Sequence, residues 1–424
     1  MKLKFKLLPA FIAAFAMIVT SCSEDANQDQ TIDLTNSLET LEIESLDSSN
    51  GVGSSQLIPG QYIIVYKPAA AGDSSAKSFV DAKQNVLNLT ASILSQNKMA
   101  DLEPIAVFAK SIAGVTLKLD ENQISLLKAD KRVSYIEQDR IVQFAPPCGT
   151  PKGGPCDTPP PTDGGGTTTQ EIPWGITRVN GVSNYTGSNV AWILDSGIDL
   201  DHPDLNVNAS RGFNAFTSGK DGKSLDDGNG HGTHVSGTIG AINNNIGVIG
   251  VAPGATVIPV KVLGATGSGS YSGVIAGVDH VAANGSSGDV ANMSLGGPIS
   301  VALEDAISAA AQRGVNFMIA AGNEAQDANN VSPARVNGNN IYTISAMSQG
   351  DNWASFSNFG NPPVDYCGPG VNVKSTWKSG GYNTISGTSM ATPHAAGVLL
   401  LGAPSTSGTV NNDPDGNPDS IITH

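Results

Sequence analysis

The chain has 424 residues, more than one ordinary domain usually holds, and its 39% hydrophobic content is enough for a packed core. A formal net charge of -15 at pH 7 argues against nucleic acid as a partner. This acidic composition suits a secreted protein. The four cysteines include no CxxC pair, so neither a disulfide scaffold nor a zinc site is indicated.

Residues 1–22 have the pattern of an export signal. Three lysines lie within the first six residues, and the apolar run that follows, residues 7–19, is too short for an ordinary membrane span. The segment ends in "VTSC", which resembles the lipobox of bacterial lipoproteins, where the cysteine is lipidated and becomes the new N-terminus. We therefore expect Cys22 to anchor the precursor to a membrane. The alternative is a secretory signal with an incidental cysteine.

Residues 23–58 are polar and poor in aromatic residues, which predicts a weakly ordered tether. A compact pattern occupies residues 59–144. It begins with the strand "QYIIVY" and continues with a helix over residues 76–98. One or two strands follow in "IAVFAKSIAGVTLKL", then a short helix that Asp120 can cap, and then the strand "VSYIEQDRIVQF". This order predicts a small ferredoxin-like α+β unit.

Residues 145–169 are rich in Pro, Gly and Thr and cannot bury a core, so we interpret them as a linker. Cys148 and Cys156 could form a small loop disulfide in an oxidising compartment, or they could remain free thiols. Cys367 has no obvious partner and is expected to be a buried free thiol.

In residues 170–424, apolar strand-like runs alternate with amphipathic helical ones. Near-continuous apolar strands between helices indicate a mostly parallel sheet covered on both faces. The predicted fold class is therefore α/β, doubly wound, in one domain. In such sheets, functional residues collect at the carboxyl ends of the strands.

Four polar residues lie where these strands end or where helices begin. Asp195 ends the run "NVAWILD", Asn323 follows the strand in "FMIAAGN", and His231 and Ser389 lie at the starts of helices. A serine nucleophile needs an imidazole base, and the imidazole needs a carboxylate to orient it. The oxyanion that forms needs preset hydrogen-bond donors. The four residues can supply these parts, which indicates serine hydrolase chemistry.

Each of the four residues also has a simpler interpretation when it is taken alone. Ser389 could cap a helix, since serine hydroxyls accept from free backbone N–H groups there. Asp195 and Asn323 could be turn residues. His231 and His234 could be half of a metal site, although "HGTH" lacks the glutamate of a HExxH zinc motif. The occurrence of all four together favours the catalytic interpretation.

Five stretches occur in the order "LDSGID", "GNGHGTHVSGTIG", "NMSLGG", "AAGNE" and "GTSMATPH". They resemble the Asp, His, substrate-strand, oxyanion and Ser motifs of the subtilisin family, with features of its proteinase K branch. The resemblance runs from residue 173 to about residue 401. It implies a subtilisin-like fold, a triad of Asp195, His231 and Ser389, and Asn323 as oxyanion donor. After residue 402 the chain is short and polar, where the family usually has more helix.

The resemblance also implies a groove for extended protein or peptide substrates. "SLGG" resembles the strand that pairs with the substrate backbone, and "GSGSY" resembles the opposite rim. Small residues around them indicate an open apolar S1 pocket, and hence a broad endopeptidase that prefers apolar residues before the scissile bond. Ordinary turn chemistry is the alternative for the glycines. The expected substrate-binding residues are Ser294, Leu295, Gly296, Gly297, Gly267, Ser268 and Gly269.

"INNNIGVIG" resembles the high-affinity calcium loop of the family, and hard oxygen ligands of this kind suit calcium. The alternative is an Asn-rich turn. The matching ligands are Gln170, Asp204, the Ile242 carbonyl, Asn244, and the Ile246 and Val248 carbonyls.

The unit at residues 59–144 resembles the inhibitory propeptide of the family, whose last strand would lie in the groove. Self-cleavage is then expected within residues 145–170, just before Gln170. It would release a monomeric mature domain, residues 170–424, from the lipid anchor to the cell surface or medium. A protease-like lipoprotein that only binds peptides is one alternative, but no triad member is missing. An esterase or transferase is another, and the peptide-length groove argues against it.

Overall fold

The computed structural model describes residues 57–72, 77–143, 169–182 and 184–424, all within one compact unit, Gly51–His424. The export signal with Cys22, most of the tether, and the linker with Cys148 and Cys156 lie outside these ranges. Across the ranges described, no helix combines the length and the apolar character needed to cross a membrane.

The N-terminal part has the predicted ferredoxin-like arrangement. Its sheet has the strand order β2-β3-β1-β4, and all the pairings are antiparallel. Apolar residues at helical spacing in α2 pack against this sheet, as Ile93 does against the layer that holds Ile64. The elements are β1 (Leu57–Tyr66), α1 (Pro68–Ala71), α2 (Phe79–Gln96), β2 (Ala106–Phe108), β3 (Gly114–Lys118), α3 (Glu121–Ala129) and β4 (Val133–Gln143).

Side chains cap the two longer helices of this part. The Ser78 hydroxyl accepts from the backbone N–H of Asp81 at 3.1 Å and so begins α2. The predicted cap by Asp120 is confirmed, and it forms one half of a capping box. Its carboxylate accepts from the Gln123 N–H at 2.8 Å, while the Gln123 side chain accepts from the Asp120 N–H at 2.9 Å.

The C-terminal part contains the predicted doubly wound sheet, with the strand order β16-β17-β13-β11-β10-β9-β5-β7-β6. The pairings from β17 to β6 along this order are all parallel. The helices are α4 (Trp174–Arg178), α5 (His231–Gly240), α6 (Tyr271–Asn284), α7 (Val301–Ala311) and α8 (Thr388–Leu401). The strands are β5 (Ala191–Asp195), β6 (Phe213–Asn214), β7 (Val257–Lys261), β8 (Ser268–Ser270), β9 (Val290–Met293), β10 (Asn316–Ala320), β11 (Ile341–Ser348), β12 (Asn352–Trp353), β13 (Val364–Pro369), β14 (Val373–Trp377), β15 (Gly381–Ile385), β16 (Ser405–Thr409) and β17 (Ser420–Thr423).

Each face of the central sheet has its own hydrophobic core. Successive side chains of a strand point to opposite faces. Trp192 of β5 therefore packs into the cluster that contains α6 and α7, while Ile193 packs into the cluster that contains α5 and α8. Both side chains are fully buried. Because helices cover both faces of the sheet, the side chains on both faces of each strand are buried. This explains why the strand sequences are almost continuously apolar.

After α8, the C-terminal tail contains strands and no helix among the described residues. It forms a hairpin of β16 and β17, and β17 pairs in parallel with β13 at the register Cys367↔Ile421. Cys367 is a buried free thiol, as expected, and burial raises its pKa. The hairpin buries only a few apolar side chains of this polar tail, among them Val410, Ile421 and Ile422.

Candidate active site

Asp195 and His231 form a buried hydrogen-bonded pair. Asp195 is the last residue of β5 and His231 is the first residue of α5, so the carboxyl end of a strand meets the start of a helix. The His231 Nδ1 atom lies 2.9 Å from each carboxylate oxygen of Asp195. Gly232 permits this approach, because a Cβ atom there would lie only 2.2 Å from the Gly197 carbonyl oxygen. A carboxylate at Nδ1 orients the ring for proton transfer at Nε2.

Ser389 is the second residue of α8, a helix whose N-cap is Gly387. The helix-capping interpretation of Ser389 is therefore wrong, because its hydroxyl donates to the Ser294 carbonyl at 3.3 Å. In return, the Ser294 hydroxyl donates to the Ser389 carbonyl at 2.9 Å. This reciprocal pair joins the start of α8 to the segment "SLGG".

Asn323 follows β10 and is held against the start of α8. Its Oδ1 atom accepts from the Thr388 N–H at 2.8 Å and from the Thr388 hydroxyl at 2.9 Å. A Cβ atom added to Gly387 would lie 3.5 Å from Asn323 Nδ2 and 3.7 Å from the Ser389 backbone nitrogen. Asn323 Nδ2 and the Ser389 backbone nitrogen therefore both lie within 4 Å of the space that Gly387 leaves open. Such a space suits an oxyanion.

The predicted groove has two rims, and the last strand of the N-terminal part lies between them. Strand β4 pairs antiparallel with β8, with Val142 opposite Gly269 and Gln143 opposite Ser268. On its other side, Gln143 pairs antiparallel with Gly296. The segment thus adds a middle strand to the groove, as an extended peptide does in strand addition.

The other predicted groove residues lie next to the paired ones and are not paired with β4 in the described part of the chain. Leu295 is buried, and Gly297 pairs with Ser332 instead of with β4. Gly267 lies in the turn before β8 with φ of 77°, a conformation that favours glycine.

Three carboxylates at this interface, of which Asp139 and Asp279 are buried, were missed by the sequence reasoning. Asp139 of β4 accepts from the Ser272 N–H at 3.2 Å and from the Ser272 hydroxyl at the start of α6. Glu137 accepts from the Ala302 N–H at 3.1 Å in the first turn of α7. Burial raises the pKa of Glu137. The third carboxylate, Asp279, belongs to α6 of the C-terminal part.

Asp279 binds the loop between β2 and β3. It accepts from three successive backbone N–H groups, those of Ala109, Lys110 and Ser111, at 2.6–3.0 Å. Burial raises its pKa. Glu137 and Asp139 are two residues apart in β4, and residues two apart lie on the same face of a strand. Two carboxylates on one strand face could have indicated that β4 contacts the N-terminal ends of helices.

The predicted calcium residues lie together around one loop. The Gln170 amide donates to the Ile242 carbonyl at 2.7 Å and to the Val248 carbonyl at 3.0 Å. The Asn244 oxygen accepts from the Ile246 N–H at 3.1 Å. Ile246 itself is exposed. The described hydrogen bonds join Gln170 to the Ile242 and Val248 carbonyls and not to the Ile246 carbonyl.

Asp204 supplies the carboxylate of this set. One of its oxygens, Oδ2, accepts from the Val248 N–H at 3.1 Å and from the Tyr382 hydroxyl at 3.2 Å. The other, Oδ1, is buried without a hydrogen bond among the described residues. Burial raises the pKa of Asp204 to about 6. A buried carboxylate oxygen without a hydrogen bond at this carbonyl-rich loop is a hard ligand of the kind that calcium takes.

The other histidines of the motifs have structural roles. His234 is buried and its Nε2 atom lies 3.0 Å from the Val373 carbonyl. His394 is buried with Nδ1 2.8 Å from the Met390 carbonyl. Burial lowers the pKa to about 3 for His234 and to about 4 for His394. No group of three or more His, Cys, Asp or Glu side chains is placed to hold a metal ion in the ranges described.

Comparison with known proteins gives matches for both parts. A model described as "Subtilase family" matches residues 187–404, and one described as "Peptidase inhibitor I9" matches residues 61–145. M-protease of Shouchella clausii is 41% identical over 321 residues, which cover 74% of this chain and 75% of that protein. Subtilisin NAT of Bacillus subtilis subsp. natto is 38% identical over 349 residues, covering 78% and 82%.

Two further similarities concern a longer protein and a solved structure. Alkaline serine exoprotease A of Vibrio alginolyticus is 40% identical over 354 residues, which cover 81% of this chain but only 60% of that protein. The crystal structure of a cold adapted subtilisin-like serine proteinase is 38% identical, with a TM-score of 0.50. The match covers 58% of this chain and 96% of that one.

Proposed function

The chain belongs to the subtilase family of serine proteases, and from this premise we propose that it is an exported endopeptidase made as a self-cleaving zymogen. The observation that carries the proposal is the groove, in which Gln143 pairs with both rims. Ser294, two residues before Gly296 in one rim, contacts Ser389. A bound strand next to a serine, a histidine–aspartate pair and two N–H donors is the arrangement that peptide hydrolysis requires.

In the proposed mechanism, Ser389 Oγ attacks the carbonyl carbon of the scissile bond while His231 takes its proton. Asp195 stabilises the charged imidazole through Nδ1. The oxyanion lies in the space beside Gly387, where Asn323 Nδ2 and the Ser389 N–H donate to it. His231 then gives the proton to the leaving nitrogen, and water hydrolyses the acyl-enzyme by the same steps in reverse.

We propose that the groove reads mainly the backbone of its substrate, because β8 and Gly296 bind through strand pairing. Pairing of this kind tolerates many side chains. In this proposal the S1 pocket is formed by the small residues of the segments around Gly296 and Gly322, so the preferred residues before the scissile bond are apolar or aromatic.

The propeptide, residues 59–144, is the intramolecular inhibitor in this proposal. Its β4 strand occupies the groove, and Glu137 and Asp139 hold it against the starts of α7 and α6. Cys22 anchors the precursor through a lipid, and cleavage of the linker releases the mature enzyme to the outside of the cell.

A structural calcium ion is proposed at the loop of residues 242–248. Asp204 and Gln170 would bind it together with carbonyl oxygens of the loop. The bound ion would neutralise the buried Asp204 carboxylate and would fix the N-terminus of the mature domain to the loop.

The test compares three chains expressed from Ser23: the parent, Ser389→Ala, and the exposed control Ser405→Ala. Intact mass follows the chain length, and digestion of an unstructured protein follows the activity. We expect the parent and Ser405→Ala to lose the propeptide and digest the substrate, while Ser389→Ala stays full-length and inert. If the Ser389→Ala chain still loses its propeptide or digests the substrate, the assignment of Ser389 as the nucleophile is refuted. If the parent is inert in the presence of calcium, a peptide-binding role is favoured instead.

A further inference from the structure

The Ser389 carbonyl has no backbone donor at the usual position in its own helix. In an α-helix each N–H donates to the carbonyl four residues earlier, so the donor to Ser389 would be the N–H of residue 393. That residue is Pro393, which lies inside α8 and has no N–H. Its ring also crowds the carbonyl four residues before it. Because Ser389 is buried, its carbonyl needs a donor from another part of the protein.

The side chain of Ser294 supplies that donor. Its hydroxyl donates to the Ser389 carbonyl at 2.9 Å, and this contact is buried. A carbonyl can only accept, so the single proton of the hydroxyl lies toward Ser389. A second group that binds the same hydroxyl oxygen must therefore be a donor.

Asn292 is this second group. Its Nδ2 atom donates to Ser294 Oγ at 2.9 Å. Asn292 lies within the central sheet, between Ile193 of β5 and Met318 of β10. Its side chain is fully buried, and its Oδ1 atom has no hydrogen bond among the described residues. An amide with an unsatisfied oxygen destabilises an apolar layer, so the sheet bears a cost for the contact with Ser294.

We propose that Asn292 and the Ser294 hydroxyl are a relay that positions the nucleophile, because they replace the helical hydrogen bond that Pro393 removes. This inference rests on the proposed function. Both side chains act through the backbone of Ser389, which carries the Oγ atom and the N–H of the proposed oxyanion site.

The relay differs from the other contact between the same two residues. Ser389 Oγ donates to the Ser294 carbonyl at 3.3 Å, and this bond must break when Oγ gives its proton to His231. The bond from the Ser294 hydroxyl to the Ser389 carbonyl does not involve Oγ, so it persists during the reaction. It therefore keeps the start of α8 in one conformation while Oγ moves.

The experiment is a double-mutant cycle on the full chain from Ser23, with the parent, Ser294→Ala, Pro393→Ala and the two changes together. Immobilised parent enzyme removes each propeptide, so that no parent activity remains in the samples. Steady-state kinetics with a peptide substrate give kcat and KM, and the Tm shows that each form is folded. The control is Ser345→Ala, which also removes a buried serine hydroxyl, one that contacts Asp419 outside the site.

We expect Ser294→Ala to lower kcat by about tenfold or more with little change in KM, because a small misplacement of a reacting group is costly. The pH dependence of kcat should keep its midpoint, since His231 and Asp195 are untouched. Pro393→Ala returns a backbone N–H to the Ser389 carbonyl. In that background the Ser294→Ala loss should shrink to less than about twofold. The control should lower the Tm and leave kcat unchanged in both backgrounds.

Asn292→Ala provides a second measurement, which also serves if Ser294→Ala does not fold. It should lower kcat less than Ser294→Ala does, because the Ser294 hydroxyl keeps its own bond to Ser389. This loss should also disappear in the Pro393→Ala background.

The inference is overturned if both alanine variants keep the parent kcat, or if their losses arise through KM alone. A loss of the same size with and without Pro393 would also overturn it, because the relay would then not replace the helical hydrogen bond. Failure of the proposed function has a different signature. In that case the parent itself would neither lose its propeptide nor digest an unstructured protein, and the inference would be refuted with it.

Discussion

Thr388 holds Asn323 by two hydrogen bonds to the same atom. The Thr388 N–H donates to Asn323 Oδ1 at 2.8 Å, and the Thr388 hydroxyl donates to it at 2.9 Å. Because both groups are donors, the side-chain atom that faces Thr388 is the amide oxygen, and Nδ2 therefore lies on the side of Gly387. The donor that the proposed oxyanion requires is therefore oriented before any substrate arrives, which is the condition for effective electrostatic stabilisation.

The first prediction concerns Asn323→Ala. We expect the processed variant to have an almost unchanged KM and a kcat lowered by about 10²–10³-fold, which is the loss that subtilisin itself shows when its corresponding asparagine is removed. Steady-state kinetics with a peptide substrate provide the measurement, and the exposed Asn339→Ala is the control. If kcat/KM fell by the same factor because KM rose while kcat stayed constant, Asn323 would bind the substrate in its ground state instead of stabilising the oxyanion.

The second prediction concerns the space beside Gly387. A methyl group there would lie 3.5 Å from Asn323 Nδ2 and 3.7 Å from the Ser389 nitrogen, in the position proposed for the oxyanion. Gly387→Ala should therefore lower kcat by at least tenfold. Because the φ of 158° at Gly387 also strains an L side chain, the Tm of the variant is measured beside its kcat. Gly338→Ala, whose methyl group would meet only Ile341 at 3.7 Å, is the control. Full activity of Gly387→Ala would place the oxyanion elsewhere.

The third prediction concerns Asp204 and calcium, measured in the Ser389→Ala background to prevent self-digestion. Calcium at about 100 times its Kd should stabilise the parent by about 2.7 kcal/mol and raise its Tm. Asp204→Asn should lose most of this rise. It should also melt higher than the parent in chelator, because it lacks the cost of a buried charge. An exposed control, Asp226→Asn, should respond like the parent. A calcium response retained by Asp204→Asn would contradict the proposed site.

The fourth prediction concerns Asp419 in the tail hairpin. It accepts from Ser345 and Asn361, with Asp413 and Asp415 nearby, and burial raises its pKa from 3.8 to about 6. The folded chain thus binds this proton more tightly than the unfolded chain does. The resulting stabilisation is complete below about pH 3.8 and is lost as the pH rises through about 6.

Asp419→Asn removes this titration. We expect the Tm of the variant, relative to its parent in the Ser389→Ala background, to increase between pH 4.5 and pH 7.5. The gain should stay below the roughly 3 kcal/mol that two pKa units represent. A Tm difference that is equal at the two pH values would show that the carboxylate of Asp419 is not destabilised by burial.

Local sequence features predicted much of this fold. The helix cap at Asp120 and the strand end at Asp195 depend on residues close in sequence, so propensity and hydrophobic pattern were enough to locate them. The alternation of apolar strands and helices likewise predicted the parallel sheet, because each strand is buried on both faces.

The contacts that the sequence did not predict join residues far apart in the chain. Asp139 meets Ser272, and Asp279 meets the loop at Lys110, only where the N-terminal and C-terminal parts pack against each other. The tail hairpin was also missed, since a few buried residues such as Ile421 give a weak pattern in a polar segment. No periodicity within one element encodes such docking.

The central claim is that Ser389 is the nucleophile, and covalent labelling tests it most directly. Processed enzyme is treated with phenylmethylsulfonyl fluoride, and its peptides are then mapped by mass. We predict one sulfonylated residue, Ser389, in proportion to the loss of activity, and no labelling in His231→Ala whose propeptide has been removed by added parent enzyme. Complete inactivation with the label on another residue, or activity that persists when Ser389 is fully labelled, would contradict the account.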